Sequence, residues 1–197
     1  MNYEEELEKL IDGTEGIIKT ADALDAGISK PAFYNFVKEE QLERISHGIY
    51  ISPDAWEDNL YVLNLRSNQV IFSHETALYL NDLTDCEPVE YSVTVKTGYN
   101  PTNLKKDGIK VFTIKKEVYE LGMITKKTSF GHEVRTYNME RTICDCVRSR
   151  NNIDNQIFQD SLKRYSKHPE KNIRLLMSYA REFRVDKIVL KYLDILL

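Results

Sequence analysis

The sequence predicts an α+β fold in two domains, and three observations predict it. Apolar residues at helical spacing fill positions 3–41 and give way to a short apolar hairpin; strand-like runs separated by turn residues occupy the middle; helical periodicity returns from Met139 onward. Charge divides the chain in the same way. Residues 1–66 carry six Lys/Arg against fourteen Asp/Glu, a net of −8, whereas residues 67–197 carry twenty-one against seventeen, a net of +4. The polar stretch Arg66-Ser67-Asn68-Gln69 marks the boundary between them.

In the first domain, Tyr3, Leu7, Leu10 and Ile11 form one stripe of a helix that stops at Gly13. Gly16-Ile17-Ile18 leads into a second, short helix from about Lys19 to Asp25, with Ala21, Leu24 and Ile28 available for burial and Gly27 as its break. Ser29 is placed to cap a third helix, and Pro31 sits in its first turn, where the missing N–H costs nothing. This helix runs from about Lys30 to Gln41. Phe33, Phe36 and Val37 fall at i, i+3 and i+4 and face a core, leaving Lys30, Tyr34, Asn35 and Lys38 on the other side.

Leu42 to Ser46 and Ile49 to Ser52 are β-prone segments joined by His47-Gly48, so they form a hairpin. Helix, glycine turn, helix and hairpin in succession make an N-terminal winged helix-turn-helix, which puts its third helix in the major groove of DNA and its wing on the adjacent groove or backbone. The candidate DNA-binding residues are Ser29, Lys30, Tyr34, Asn35 and Lys38 on that helix, and Arg44 and His47 in the wing. Asn35 suits an adenine edge, Tyr34 a thymine methyl or a phosphate, and the basic groups suit phosphates. The net of −8 opposes that assignment, because phosphate contact supplies most of the affinity. Eight of the fourteen acids lie between Glu4 and Asp25, on elements that can face away from a groove. Such a domain binds weakly alone and calls for basic groups elsewhere or a second copy on a neighbouring half-site. The competing reading is a winged helix that binds protein and no DNA.

A connecting helix is predicted from about Ala55 to Leu65, and beyond the boundary another from about His74 to Leu83 capped by Ser73. Strands are predicted at Glu90 to Lys96, Lys110 to Lys115, Leu121 to Thr128 and His132 to Tyr137, and helices at Met139 to Arg148, Asp154 to Ser166, Pro169 to Glu182 and Val185 to Leu196. A small mixed α/β sheet with a C-terminal helical bundle is the natural assembly. Along the last helices, Lys171, Arg174 and Arg181 form one basic stripe and Arg184, Lys187 and Lys191 another, opposite apolar faces. Arg141, Arg148, Arg150, Lys163 and Arg164 extend a possible basic surface. It is either a solvated face or a functional one for DNA backbone, an RNA or antagonism of a toxin.

Catalytic constellations are missing from the sequence, which has no Gly-rich phosphate loop, no G-x-S-x-G and no H-E-x-x-H. Cys144 and Cys146 at i, i+2 of a helix point about 200° apart and cannot grip one metal. His132 and His168 read as polar surface residues. No catalytic residue, metal or cofactor is therefore expected. The odd number of cysteines, three, argues for reduced thiols, and the lack of a leader-like or membrane-length apolar run argues for a cytoplasmic protein.

Lys19 to Gly27, Ser29 to Lys38, "LERISHGIYIS", "SHETALYLNDL" at Ser73 to Leu83 and "MERTICDCVRS" at Met139 to Ser149 together resemble the antitoxins of the AbiE abortive-infection, type IV toxin–antitoxin systems, over the chain to about Arg150. His47 stands where many relatives carry arginine. The resemblance implies a bacterial phage-defence protein whose winged helix binds inverted repeats in its own promoter and represses transcription. It further implies that the C-terminal domain counters a nucleotidyltransferase-like toxin without necessarily forming a stable complex with it, and that the protein is not an enzyme.

Overall fold

A computed structural model describes residues 3–196, with the side chains beyond Asp194 outside the described set, Ile195 of the predicted apolar face among them. The fold is α+β. It divides into two units: the described residues up to Ser67 together with Ser129–His132, and Asn68–Thr128 with Glu133 onward.

The first unit runs α1 (Tyr3–Asp12), β1 (Ile17–Lys19), α2 (Thr20–Asp25), α3 (Lys30–Glu39), β2 (Glu43–Ser46), β3 (Ile49–Ile51) and α4 (Asn59–Arg66). The three strands form an antiparallel sheet in the order β1-β3-β2, with Ile17 opposite Ile51 and Ile18 opposite Tyr50. Alternation along a strand sends these two pairs to opposite faces. Ile18 and Tyr50 join Leu7, Ala23, Ile28, Phe33, Phe36 and Leu42 beneath α1, α2 and α3, whereas Ile17, Ile49 and Ile51 pack with Val62 of α4. A sheet covered on both faces explains why Ile17-Ile18 and Ile49-Tyr50-Ile51 are apolar without interruption. Gly16 is obligatory here: its φ is +95°, and a Cβ would stand 2.3 Å from that of Ala55.

Three expectations change in this unit. Ile17–Lys19 is a strand and not the approach to a helix, because its hydrogen-bonding partner is the distant β3. The connecting helix starts at Asn59, where the Asp58 carboxylate caps it by accepting from Tyr61 N at 3.1 Å, rather than at Ala55. On α2 it is Ala23 that is buried, while Ala21 is exposed.

The second unit holds β4 (Ile71–Phe72), α5 (His74–Leu80), β5 (Ser92–Lys96), α6 (Thr102–Lys106), β6 (Lys110–Ile114), β7 (Met123–Lys127), β8 (Glu133–Tyr137), α7 (Met139–Arg148), α8 (Asn155–Lys167), α9 (Ile173–Glu182) and α10 (Asp186–Leu196). Its mixed sheet has the order β6-β5-β4-β8-β7, with parallel β5/β6 and β4/β8 pairs and antiparallel β4/β5 and β7/β8 pairs. The central strand β4 is two residues long, too short for any periodicity to reveal. Helix α7 is the hub of the helical part: Ile143, Cys144, Cys146 and Val147 share a core with Leu78, Phe158, Leu162, Tyr165, Leu176 and Val189.

Candidate nucleic-acid interface

Helix α3 is locally determined at its start. The Ser29 hydroxyl accepts from Ala32 N at 3.4 Å, and Pro31 lies in the first turn. Phe33 is fully buried and Phe36 nearly so, and they fix the helix's rotation about its axis. At 3.6 residues per turn, Lys30, Tyr34, Lys38 and Asn35 then occupy an arc of roughly 140° away from those rings. All four are exposed. Tyr34 keeps one edge on the core, its ring 5.6 Å from Phe33 and 6.5 Å from Tyr50 in edge-to-face contacts, while 44% of its surface is accessible. Burial pushes the Tyr50 phenol up, with Tyr34 adding to the effect and Arg44 opposing it.

The hairpin presents Arg44 and His47, both exposed. Arg44 lies opposite Tyr50, and its Nε donates to Ser46 O at 3.2 Å across an irregularity in the β2/β3 pairing, which lays the guanidinium along the hairpin. Gly48 alone of the two turn residues is left-handed, at φ +67°, and its carbonyl accepts from Thr20 N at 2.9 Å. The turn is thereby tied to the start of α2. Helix α3 and the hairpin thus expose all seven sequence-predicted DNA-binding residues, with Ser29 spending its hydroxyl on the helix cap.

Carboxylates gather elsewhere in the unit. Glu8, Asp12, Glu39, Glu40 and Asp54 line an open hollow of about 480 Å³ floored by Ile11, Phe36 and Leu42, at the C-terminal end of α3. Lys30, Tyr34 and Asn35 belong to the helix's N-terminal and middle turns. Those three residues are therefore set apart from the carboxylates along α3, whereas Lys38 shares the last turn with Glu39, and Glu43 is exposed in the hairpin strand β2.

His132 is not a surface residue. It is buried in the first unit, its Nδ1 2.9 Å from the Asp58 carboxylate, its Nε2 donating to Thr14 O at 3.1 Å, and its ring stacked on Tyr61 at 4.2 Å. The 74-residue separation from Asp58 left no local trace of this contact in the sequence. His168 is half-buried, with its Nδ1 accepting from Glu170 N at 3.2 Å.

The possible basic surface of the C-terminal part is smaller than the sequence predicts. Arg141 is fully buried: Nε donates to Asp145 at 2.8 Å, Nη1 donates to the carbonyls of Val118 and Leu121, and the guanidinium stacks on Tyr137 and Phe183. Arg148 shares Asp145 at 3.2 Å, Lys163 pairs with Asp160 at 3.3 Å, and Arg164 pairs with Asp85. Arg150 donates to Val147 O, and Lys171 precedes α9 and is half-buried. Arg174, Arg181, Arg184, Lys187 and Lys191 are exposed, and none has an ion-pair partner among the described residues.

Cys144 and Cys146 are buried and Cys86 is exposed, all as free thiols. Burial, reinforced by the Asp145 carboxylate, pushes the Cys144 thiol up to about 12 and the Cys146 thiol well above its ordinary value. Among the described residues no helix is long and apolar enough to cross a membrane.

Comparison with known proteins bears on the same region. Residues 5–53 match the family described as "Transcriptional regulator, AbiEi antitoxin", which bears out the resemblance over that segment and supports an antitoxin and regulator role. A search of curated proteins gives no significant match. The fold is similar to the crystal structure of the RV2827C protein from Mycobacterium tuberculosis, at a TM-score of 0.58 and 8% identity, over 92% of this chain and 72% of that one. At that identity the likeness speaks for the fold alone.

Proposed function

We propose that this chain, whose first quarter is an AbiEi-type antitoxin regulator segment, represses its own operon by winged-helix binding to inverted repeats in the promoter, and counters a nucleotidyltransferase-like toxin as the antitoxin of a type IV phage-defence pair. The observation that carries the DNA half is α3 itself. Buried Phe33 and Phe36 hold a rigid helix whose outer arc is Lys30, Tyr34, Asn35 and Lys38, next to a hairpin bearing Arg44 and His47. In this reading α3 enters the major groove, Asn35 reads a base edge, and the hairpin basic groups meet phosphates. The five carboxylates of the hollow lie toward the other end of α3, which lessens the objection raised by a net of −8. The chain is a regulator and not an enzyme, and its antagonism of the toxin needs no stable complex. Its site of action is the cytoplasm, on its own promoter.

The test is a mobility shift on the chain's own upstream DNA across a salt series, against scrambled DNA. Sequence-selective binding that falls steeply with salt is expected. Asn35→Ala removes a base contact worth about 1–3 kcal/mol and relaxes selectivity, whereas Lys38→Ala weakens all sequences alike and lowers the salt slope by about one. Binding with no preference even at low salt would refute the repressor reading and leave the second one, a protein-binding winged helix, which the acidic charge of the unit favours.

A further inference from the structure

We infer that Tyr50, a β3 residue outside the seven predicted contacts, is a positioning residue for DNA: it locks α3 to the hairpin so that Tyr34 and Arg44 close side by side on one phosphate, which Arg44 takes with both terminal nitrogens. The inference rests on the DNA-binding reading above and deepens it.

Tyr50 stands in the middle strand of the β1-β3-β2 sheet, opposite Ile18 on one side and Arg44 on the other. Residues directly opposite in an antiparallel pair carry their side chains on the same face. Arg44 therefore rises beside the Tyr50 ring, on the face that packs against α1, α2 and α3. The ring meets Phe33 at 5.5 Å and Tyr34 at 6.5 Å, edge to face in both cases. Phe33 is fully buried and Tyr50 only 7% exposed, so the two make a fixed base, with Tyr34 and Arg44 exposed at its rim. Tyr34 and Arg44 are also the side chains that act on the Tyr50 phenol, so its hydroxyl lies within electrostatic reach of both.

The hairpin is irregular at this point. Its pairing slips between Arg44 and Ser46, and the extra residue, Ile45, packs with Ile17, Ile49, Ile51 and Val62 on the other face of the sheet. A bulge of this kind re-aims the side chain next to it. Arg44 Nε is spent on Ser46 O at 3.2 Å, which fixes the guanidinium plane, while Nη1 and Nη2 have no partner among the described residues.

A planar fork held at its base and open at its tip is suited to two oxygens of one phosphate. The Tyr34 phenol supplies a neutral donor beside it. The adjoining carboxylate, Glu43, lies opposite Ile51 and so projects from the face turned away from α3. The pleat of β2 thus separates its one cation from its one anion, and only the cation shares a face with Tyr34.

The full chain and its variants are titrated against two labelled duplexes, the chain's own upstream DNA and one of unrelated sequence, from low salt upward. A phosphate contact acts on both alike. Arg44→Lys, which keeps the charge and loses the fork, is expected to weaken both by about tenfold, and Arg44→Ala also to lower the salt slope by about one. Tyr50→Phe keeps the ring in the core and is expected to weaken both by about threefold or more, with no further loss in a chain already carrying Arg44→Ala and Tyr34→Phe. That last result separates positioning from stability, since a destabilised unit would lose affinity in either background. Native-strength binding by Arg44→Lys or Tyr50→Phe, or a Tyr50→Phe loss undiminished in the double variant, overturns the inference and leaves the repressor reading to stand on the preference for upstream DNA. Failure to bind either duplex at low salt overturns both.

Discussion

His132 and Asp58 form a buried hydrogen bond, 2.9 Å long with both side chains at most 5% exposed, between residues far apart in the sequence. Asp58 accepts with its other oxygen from Tyr61 N, and His132 donates with its other nitrogen to Thr14 O. His132→Ala leaves a carboxylate and a carbonyl in the interior of the first unit without this partner. It is expected to cost about 3–5 kcal/mol, seen as a lowered urea midpoint by circular dichroism. Asp58→Asn keeps a cap for α4 and loses only the charge, so a smaller loss is expected.

Arg141 and Asp145 lead to a second expectation. Removing the guanidinium in Arg141→Ala strips the Val118 and Leu121 carbonyls of their donor and leaves Asp145 with Arg148 alone, and a loss of more than about 4 kcal/mol follows. Arg141→Lys does not rescue it, because an ammonium cannot reach a carboxylate and two carbonyls while stacking between Tyr137 and Phe183. Thermal unfolding of both variants checks this. The double change Arg141→Met, Asp145→Leu is expected to be less damaging than Arg141→Ala, since no unpaired charge remains.

This pair shows where sequence reasoning reached its limit. Arg141, Asp145 and Arg148 lie at i, i+4 and i+7, spacing shared by solvated ion pairs and buried ones. What decides between them is Phe183, a residue that follows α9 and covers the guanidinium. Locally encoded features were legible: the Ser29 cap, the Phe33/Phe36 stripe, the His47-Gly48 turn and the limits of α7 all rest on residues within one or two turns of each other. Strands β1 and β4 depend on partners far along the chain, and their three and two residues carry too little period to declare themselves. In the candidate interface the exposed arc of α3 was legible for the same local reason, whereas the segregation of carboxylates into a hollow required α1 and the end of β3 to meet.

His74 confers a pH dependence. Burial, with Lys110, Arg148 and Arg141 nearby, holds its imidazole well below the ordinary value, and its nitrogens bond the Ser73 and Ser149 hydroxyls at 3.0 and 3.1 Å. The unfolded chain therefore takes up a proton below about pH 6.5 that the folded chain refuses. Stability from this group is complete above that pH and is lost as pH falls toward the folded value, by up to about 1.4 kcal/mol per pH unit. Denaturant midpoints from pH 7 to 5 are expected to decline in the native chain and to flatten in His74→Asn, a residue that also tolerates the left-handed φ of +50° found there.

The thiols should separate sharply. Cys86 is exposed, whereas Cys144 and Cys146 are buried with their ionisation suppressed. One equivalent of a thiol reagent is expected to react with the folded protein, and three after denaturation, with Cys86→Ser abolishing the fast phase.

The inclusion of residues 129–132 in the first unit has a consequence for the order of events at the ribosome. Thr14 and Asp58 are synthesised long before His132, and at about 5–20 residues per second the 65 residues after Ser67 take about 3–13 s. During that interval the nascent N-terminal segment lacks the ring that closes its interior. The unit that carries α3 is completed only once His132 has been added, so a ribosome that stalls or a message truncated before that residue's codon releases a segment with its Asp58 carboxylate still waiting for a histidine.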